Sequence, residues 1–322
     1  IKQDLVYHLI RKRCFEDARY KKKWLVIVDG TQLYCGRRKL NEHCLERCSN
    51  KGTDKEITLY HRDALEAKIY FGEKLVASIG SEFIENNGED RKRQEGMNAE
   101  EIKQDCETKA FFRLAERIKK RFPRLPILLL ADSLYASKQV MELCREYKWE
   151  FLIRYKKGSI PSIAEEYEKI PEKGKTEKAE FVNEIDYEGK PVHVLRYREE
   201  KEGEITEFQW LCSIKISKEN AEKMAEAGRK RWKIENEGFN RQKNWQGDIT
   251  HACSWNDQSQ KNHYLMEQIS DFMKQLYEYY YLKKNGIEKK QKNISSDLLA
   301  SFGRQLTKED IFPVDEYTQS CN

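Results

Sequence analysis

Two short apolar runs, each closed by an acid, constrain this chain more than any other feature: WLVIVD at residues 24–29 and PILLLAD at 126–132. Runs this short with no polar face read as strands buried on both sides, the kind that build parallel sheets. Gly30 and Thr31 follow the first run and predict a turn, which puts Asp29 at a strand's carboxyl end; Asp132 closes the second run in the same way. A single strand-end aspartate is usually a turn former or a helix cap. Two of them on parallel neighbouring strands are another matter, because such strands lie about 5 Å apart and their carboxylates then share a site.

The rest of the chain reads around these runs. ITLYHRDALEAKIYFGEKLVASIGSEFIEN (57–86) is rich in β-branched and aromatic residues and breaks at Gly72-Glu73, which predicts a hairpin of two further strands. Asn98 with Glu101 three residues on predicts a capping box. The helix it opens has Ile102, Cys106, Ala110, Leu114, Ile118 and Phe122 as its buried stripe and Pro123 as its end. SLYASKQVMELCREY continues as a helix with Val140, Leu143, Cys144 and Tyr147 inward, and EFLIRY (150–155) is a fifth strand. Residues 156–216, punctuated by Gly158, Pro161, Pro171, Gly174 and Gly189, read as a hairpin-rich β segment. Helical periodicity returns from Ser217 to Trp245 and again over 262–282, where Leu265, Ile269, Phe272, Met273 and Leu276 fall on one side; SSDLLASFGRQL is a short further helix.

Composition narrows the class. With 36% charged and 11% aromatic residues in 322, the chain has a core beneath a densely charged surface, in one large or two ordinary domains. No apolar run approaches membrane-spanning length. The net charge is only +5, but cations cluster, as at Arg11-Lys12-Arg13, Arg91-Lys92-Arg93, Lys119-Lys120-Arg121 and Arg229-Lys230-Arg231. Such clusters neutralise phosphates, or else are solvated faces. Nine scattered cysteines, an odd number, argue for reduced thiols in a cytosol rather than a disulfide framework. The sequence opens on Ile1 rather than Met, so residues 1–23 are expected to be the end of a truncated N-terminal region.

A third acid stands in RKRWKIENEGFN (229–240). Arg231, Glu235, Phe239 and Lys243 are spaced by four and share a helix face; Glu237, about 200° around from Glu235, points away. Trp232 and Ile234 are expected to pack the helix onto the core. Three convergent carboxylates, Asp29, Asp132 and Glu235, repel one another unless a hard divalent cation lies between them. One or two Mg²⁺ or Mn²⁺ ions on such oxygens suit phosphoryl displacement, with Arg231 and Lys243 placed for the flanking phosphates. The plain alternative is an exposed Arg231–Glu235 ion pair. Tyr135 and Trp245 are candidate base-stacking residues, with core packing as the alternative.

VDGT, ADSLYAS and RWKIENEGFNRQK, in this order, resemble the three acidic motifs of the DDE transposases of bacterial insertion sequences. The third motif of that family reads Tyr, two residues, Arg, three residues, Glu, six residues, Lys. Arg231 and Glu235 match it; its Tyr position falls on Gly228, and its Lys position on Gln242, with Lys243 one residue late. The resemblance implies an α/β fold, a ribonuclease-H-like mixed sheet flanked by helices (24–155 and 217–285), with a β-rich insertion (156–216) between the second and third acids and a basic C-terminal region (286–322). It also implies metal-dependent cleavage at transposon ends and strand transfer of the 3′-hydroxyl into target DNA. A homodimer in a synaptic complex and a cytoplasmic, nucleoid-associated protein of a prokaryote follow from it as well. A DNA-binding remnant without activity is the rival reading.

Weaker signals are set aside. VIVDGT also resembles phosphatases of the haloacid dehalogenase type, but their nucleophile would fall at Ile27, which has no carboxylate. Cys35, His43, Cys44, Cys48 and His61 crowd one stretch with irregular spacing and no CxxC pair, which favours ordinary thiols over structural zinc. Asp105 and Glu107, on opposite sides of a helix, are expected to be supporting or surface groups, and His251 a packing or capping residue.

Overall fold

The apolar run at 24–28 forms the centre of a mixed α/β fold. The computed structural model describes residues 1–86, 104–156, 158–251 and 253–303. A ten-stranded sheet carries the order β2-β3-β1-β5-β6-β10-β9-β8-β7, with β4 added on β3. The strands are β1 (Trp24–Gly36), β2 (Leu45–Ser49), β3 (Ile57–Tyr70), β4 (Val76–Ile84), β5 (Ile127–Ala131), β6 (Glu150–Arg154), β7 (Gly174–Lys175), β8 (Ala179–Tyr187), β9 (Lys190–Lys201) and β10 (Glu204–Cys212). The helices beside it are α1 (Lys2–Arg11), α2 (Glu107–Arg121), α3 (Lys138–Tyr147), α4 (Pro161–Lys169), α5 (Ala221–Arg229) and α6 (Asp257–Gln275).

Strands β1, β5 and β6 are parallel neighbours, as the two acid-ended runs predict, and the Gly72 hairpin joins β3 to β4. The first strand does not stop at Gly30. It runs on to Gly36 because β3 offers an antiparallel ladder as far as Tyr60, with a register shift between Gln32 and Tyr34. The cysteine-bearing stretch expected to be a loop contains edge strand β2. Residues 156–216 extend the main sheet, since β10 pairs antiparallel with β6 along Trp210–Arg154 and Cys212–Leu152.

Alternation along the strands decides which face carries the chemistry. Leu25 and Ile27 of β1, Leu128 and Leu130 of β5, and Leu152 of β6 pack in one cluster with Met224, Ala225, Ile234 and Phe239 from the segment that follows β10. The opposite face holds α2, whose Leu114 and Ile118 lie against Gly80. The proposed capping box at Asn98 and Glu101, with Ile102, lies outside the described residues, as does the Arg91 cluster. Helix α2 is described from Glu107, and Cys106 before it is exposed rather than part of a buried stripe. In α3, Met141 is buried beside Val140 and Cys144, whereas Leu143 and Tyr147 are half-buried.

Helix α6 corrects the sequence reading. Met273, expected to face inward, is 60% exposed, and the buried positions include Tyr264, Gln268, Asp271 and Phe272. The polar ones meet buried polar groups of β3 and of the segment after α5. Tyr264 donates to Glu66 (2.8 Å), Lys68 donates to Gln268 (2.9 Å), and Asp271 accepts from Arg241 and Gln242, both at 2.8 Å. Buried polar groups that are hydrogen-bonded are tolerated in a core, so hydropathy does not reveal such a face.

Residues 275–322 form a second compact unit. Its described part holds a π-helical turn, Leu276–Leu282, with Tyr277 and Tyr281 stacked at 5.5 Å, and α7 (Gln291–Phe302).

Candidate active site

The parallel ladder of β1 and β5 ends at the pair Ile27 and Leu130, and Asp29 and Asp132 each follow that pair by two residues. Neither is deeply open to solvent. The Asp132 carboxylate accepts from the Leu134 N–H at 2.8 Å, capping the 3₁₀ turn Ser133–Tyr135, so it doubles as the turn former of the simpler reading.

Glu235 reaches the same place from the covering segment. After α5 the chain makes a 3₁₀ turn, Lys230–Trp232, and π-helical turns at Ile234–Phe239 and Gln242–Gln246. Arg231 Nη1 lies 3.2 Å from Asp29 Oδ2 and 3.0 Å from Glu235 Oε1. The expected ion pair with Glu235 is therefore present, but the same guanidinium also bridges to the first acid. Burial pushes the Asp29 carboxyl up to about 7; Arg231 opposes this, while Glu235, through charge and a hydrogen bond, and Glu107 add to it. Asp29 therefore ionises less readily than a free aspartate.

Glu107 is the acid that sequence reasoning undervalued. A side chain at position 30 would strike it, with a Cβ 2.6 Å from Glu107 Oε2, so Gly30 is the residue that admits it beside Asp29. Tyr135 donates its hydroxyl to Glu107 Oε1 at 2.6 Å. Burial raises the Glu107 carboxyl, the Tyr135 bond lowers it, and Asp132 and Asp63 raise it again. Asp105 faces elsewhere, bound to Arg113 at 2.6 Å. The signal in sequence was the glycine after Asp29, which was read only as a turn.

The remaining candidates divide. Tyr135 has no exposed surface and packs edge-on against Phe111, so core packing prevails over base stacking for that ring. Trp245 is 59% exposed and Lys243 is half-buried two residues before it. Trp232, expected in the core, is 46% exposed, whereas Ile234 is fully buried. Residues two apart on a helix lie about 200° around from one another, so Trp232 and Ile234 do not share one face. Glu237 pairs with Lys233 at 3.2 Å, away from the acids. At Gly228, a Cβ would lie 2.6 Å from the Trp210 indole, so Trp210 fills the space a larger residue would take. Gln242 is buried in the Asp271 network.

Among the described residues no three His, Cys, Asp or Glu side chains stand grouped to hold a metal ion, and the cation between Asp29 and Glu235 is Arg231. The donor set is nevertheless all carboxylate oxygen, the chemistry that hard divalent cations take. Among the described residues no helix is long and apolar enough to cross a membrane. No curated protein matches the chain. The family model described as the transposase DDE domain matches residues 104–266, which include Asp132 and Glu235 and begin after Asp29. On that match over half its length, the chain belongs to the transposase DDE domain family.

Proposed function

We propose that the protein cuts DNA phosphodiester bonds at transposon ends and transfers the freed 3′-hydroxyl to target DNA, with Asp29, Asp132 and Glu235 as its catalytic acids. The observation that supports this is that Asp29 and Asp132 each follow the last pair of the β1–β5 ladder by two residues, with Glu235 joined to Asp29 through Arg231. Asp29 and Asp132, joined by Glu235, would hold Mg²⁺ or Mn²⁺. Divalent cation chemistry supplies neutralisation of the phosphate and a more acidic attacking hydroxyl.

The chain's own residues do the rest. Asp29 is raised by burial and by neighbouring acids, so added positive charge favours its ionised form. Arg231 holds Asp29 and Glu235 together in the absence of DNA, and its planar fork suits a phosphate once those carboxylates have another cation. Tyr135 ties the Asp132 turn to Glu107 and limits its drift. Exposed Trp245 and half-buried Lys243 lie further along the same segment, where the strand beyond the cut would run. Two copies bridging two DNA ends complete the reading.

The rival, a passive DNA binder, is favoured by one observation, that Arg231 already neutralises two of the acids. Supercoiled plasmid with Mn²⁺ separates the two. Nicking by the wild type that stops with chelator and is absent in Asp29→Asn supports the enzyme. Salt-sensitive binding with no nicking, or equal nicking by both proteins, refutes it.

A further inference from the structure

Lys68 is a buried cation that the nuclease reading leaves unused. It lies on β3, 1% exposed, and its ammonium donates to Gln268 Oε1 at 2.9 Å. Among the described residues no carboxylate makes an ion pair with it. The two acids of its surroundings have cations of their own, Glu66 with Lys2 at 3.6 Å and Asp271 with Arg241 at 2.8 Å. Burial disfavours the Lys68 cation, Asp271 and then Glu66 favour it, and Arg241 opposes it. A buried ammonium with one hydrogen bond and no counter-ion to itself costs stability, and a methionine of similar length would serve the core better. A side chain that works against its own core points to a use outside it.

Its contacts lead to the segment that carries Glu235. A Cβ on Gly238 would lie 3.2 Å from Lys68 Cε and 3.3 Å from Cδ, so the chain settles on the lysine stem at a residue with no side chain of its own. The Phe239 ring follows, its centroid 5.9 Å from the ammonium. Gln268 Oε1, which Lys68 holds, also accepts from Gln242 Nε2 at 3.0 Å, and Gln268 Nε2 donates back to Gln242 Oε1 at 3.1 Å. Because an ammonium only donates, Lys68 fixes which way the Gln268 amide faces, and Gln268 in turn fixes Gln242. Glu235 precedes Gly238, Phe239 and Gln242 by three, four and seven residues. Its own side chain is 40% exposed, so its placement depends on what lies beneath the segment.

We propose that Lys68 is a positioning residue for Glu235: its ammonium orients the Gln268–Gln242 pair and its stem seats Gly238, and together they hold the segment that presents the third acid. This rests on the nuclease reading above. Closed to solvent, Lys68 does not touch DNA; it acts through Gln268 and Gly238.

The test compares the full chain with Lys68→Met, Gln268→Leu, the double substitution and Asp29→Asn. Methionine keeps most of the stem and removes the ammonium, so Lys68→Met should melt at or above the wild-type temperature. Its kcat for nicking supercoiled plasmid with Mn²⁺ should nevertheless fall by about 10- to 100-fold, the scale of a small misplacement of a reacting group, with KM for the plasmid unchanged. Backbone hydrogen exchange over 234–246 should quicken by about tenfold in it while β1 and β5 keep wild-type protection. Gln268→Leu should lose as much in kcat, and the double substitution little more, since the two act through one hydrogen bond. A residue that merely fills the core would lose stability and activity together. A lower melting temperature in Lys68→Met, a wild-type kcat, a loss carried by KM, or unchanged exchange over 234–246 overturns the proposal, and so do losses that add in the double substitution. If Asp29→Asn nicks as well as the wild type, the nuclease reading fails by itself, and the exchange of 234–246 in Lys68→Met still decides whether Lys68 orders that segment.

Discussion

Asp132→Asn should abolish metal-dependent nicking, by at least about a thousandfold, because a lost carboxylate on a phosphoryl-transfer cation forfeits several kcal/mol at the transition state. The substitution is nearly isosteric, and its amide oxygen still accepts from the Leu134 N–H, so the turn Ser133–Tyr135 and the buried Tyr135–Glu107 bond are retained. Stability and salt-dependent DNA affinity should therefore stay within experimental scatter of the wild type. That combination separates a chemical role for Asp132 from its capping role. If capping were all it did, Asp132→Asn would be active, since asparagine caps as well as aspartate.

Asp271→Ala should unfold the protein far more readily than any surface substitution. Asp271 is 1% exposed and accepts from Arg241, itself 3% exposed, and from Gln242. Removing one partner of a buried ion pair costs about 3–5 kcal/mol. A urea titration should show the midpoint falling accordingly, with Lys169→Ala, from an exposed pair with Glu166, within about 0.5 kcal/mol of the wild type. A change of under about 1 kcal/mol at Asp271 would mean that the network is not what anchors the covering segment. Gly238 rests on the Lys68 stem and Gln242 bonds Gln268, so the same network fixes the stretch that carries Glu235. Asp271→Ala should consequently slow nicking even below its unfolding range.

The parts of this fold that were legible are those with one-dimensional signals. Unbroken apolar runs announced β1 and β5, a Gly-Glu break announced the β3–β4 hairpin, and the order of the three acids pointed to one shared edge. What escaped depends on partners distant in sequence. The continuation of β1 past Gly30 needs the ladder that β3 provides. The inward face of α6 is polar because Glu66 and Lys68 wait for it on β3, and hydropathy assigns such residues to solvent. Glu107 comes beside Asp29 through a helix–strand approach at Gly30, which leaves no local pattern. Trp232 and Ile234, two residues apart, fall on different faces and only Ile234 reaches the core, while the spacing of Arg231 and Glu235 survived.

The whole account stands on Asp29 and Asp132 acting on one cation, and Mn²⁺ binding read from the electron paramagnetic resonance of the free ion tests this without any DNA. Wild-type protein should bind Mn²⁺, with Asp29→Asn and Asp132→Asn each weakening it by at least about tenfold and the double substitution adding little further. Equal Mn²⁺ affinity in all four proteins, or losses that simply add, would contradict a shared site.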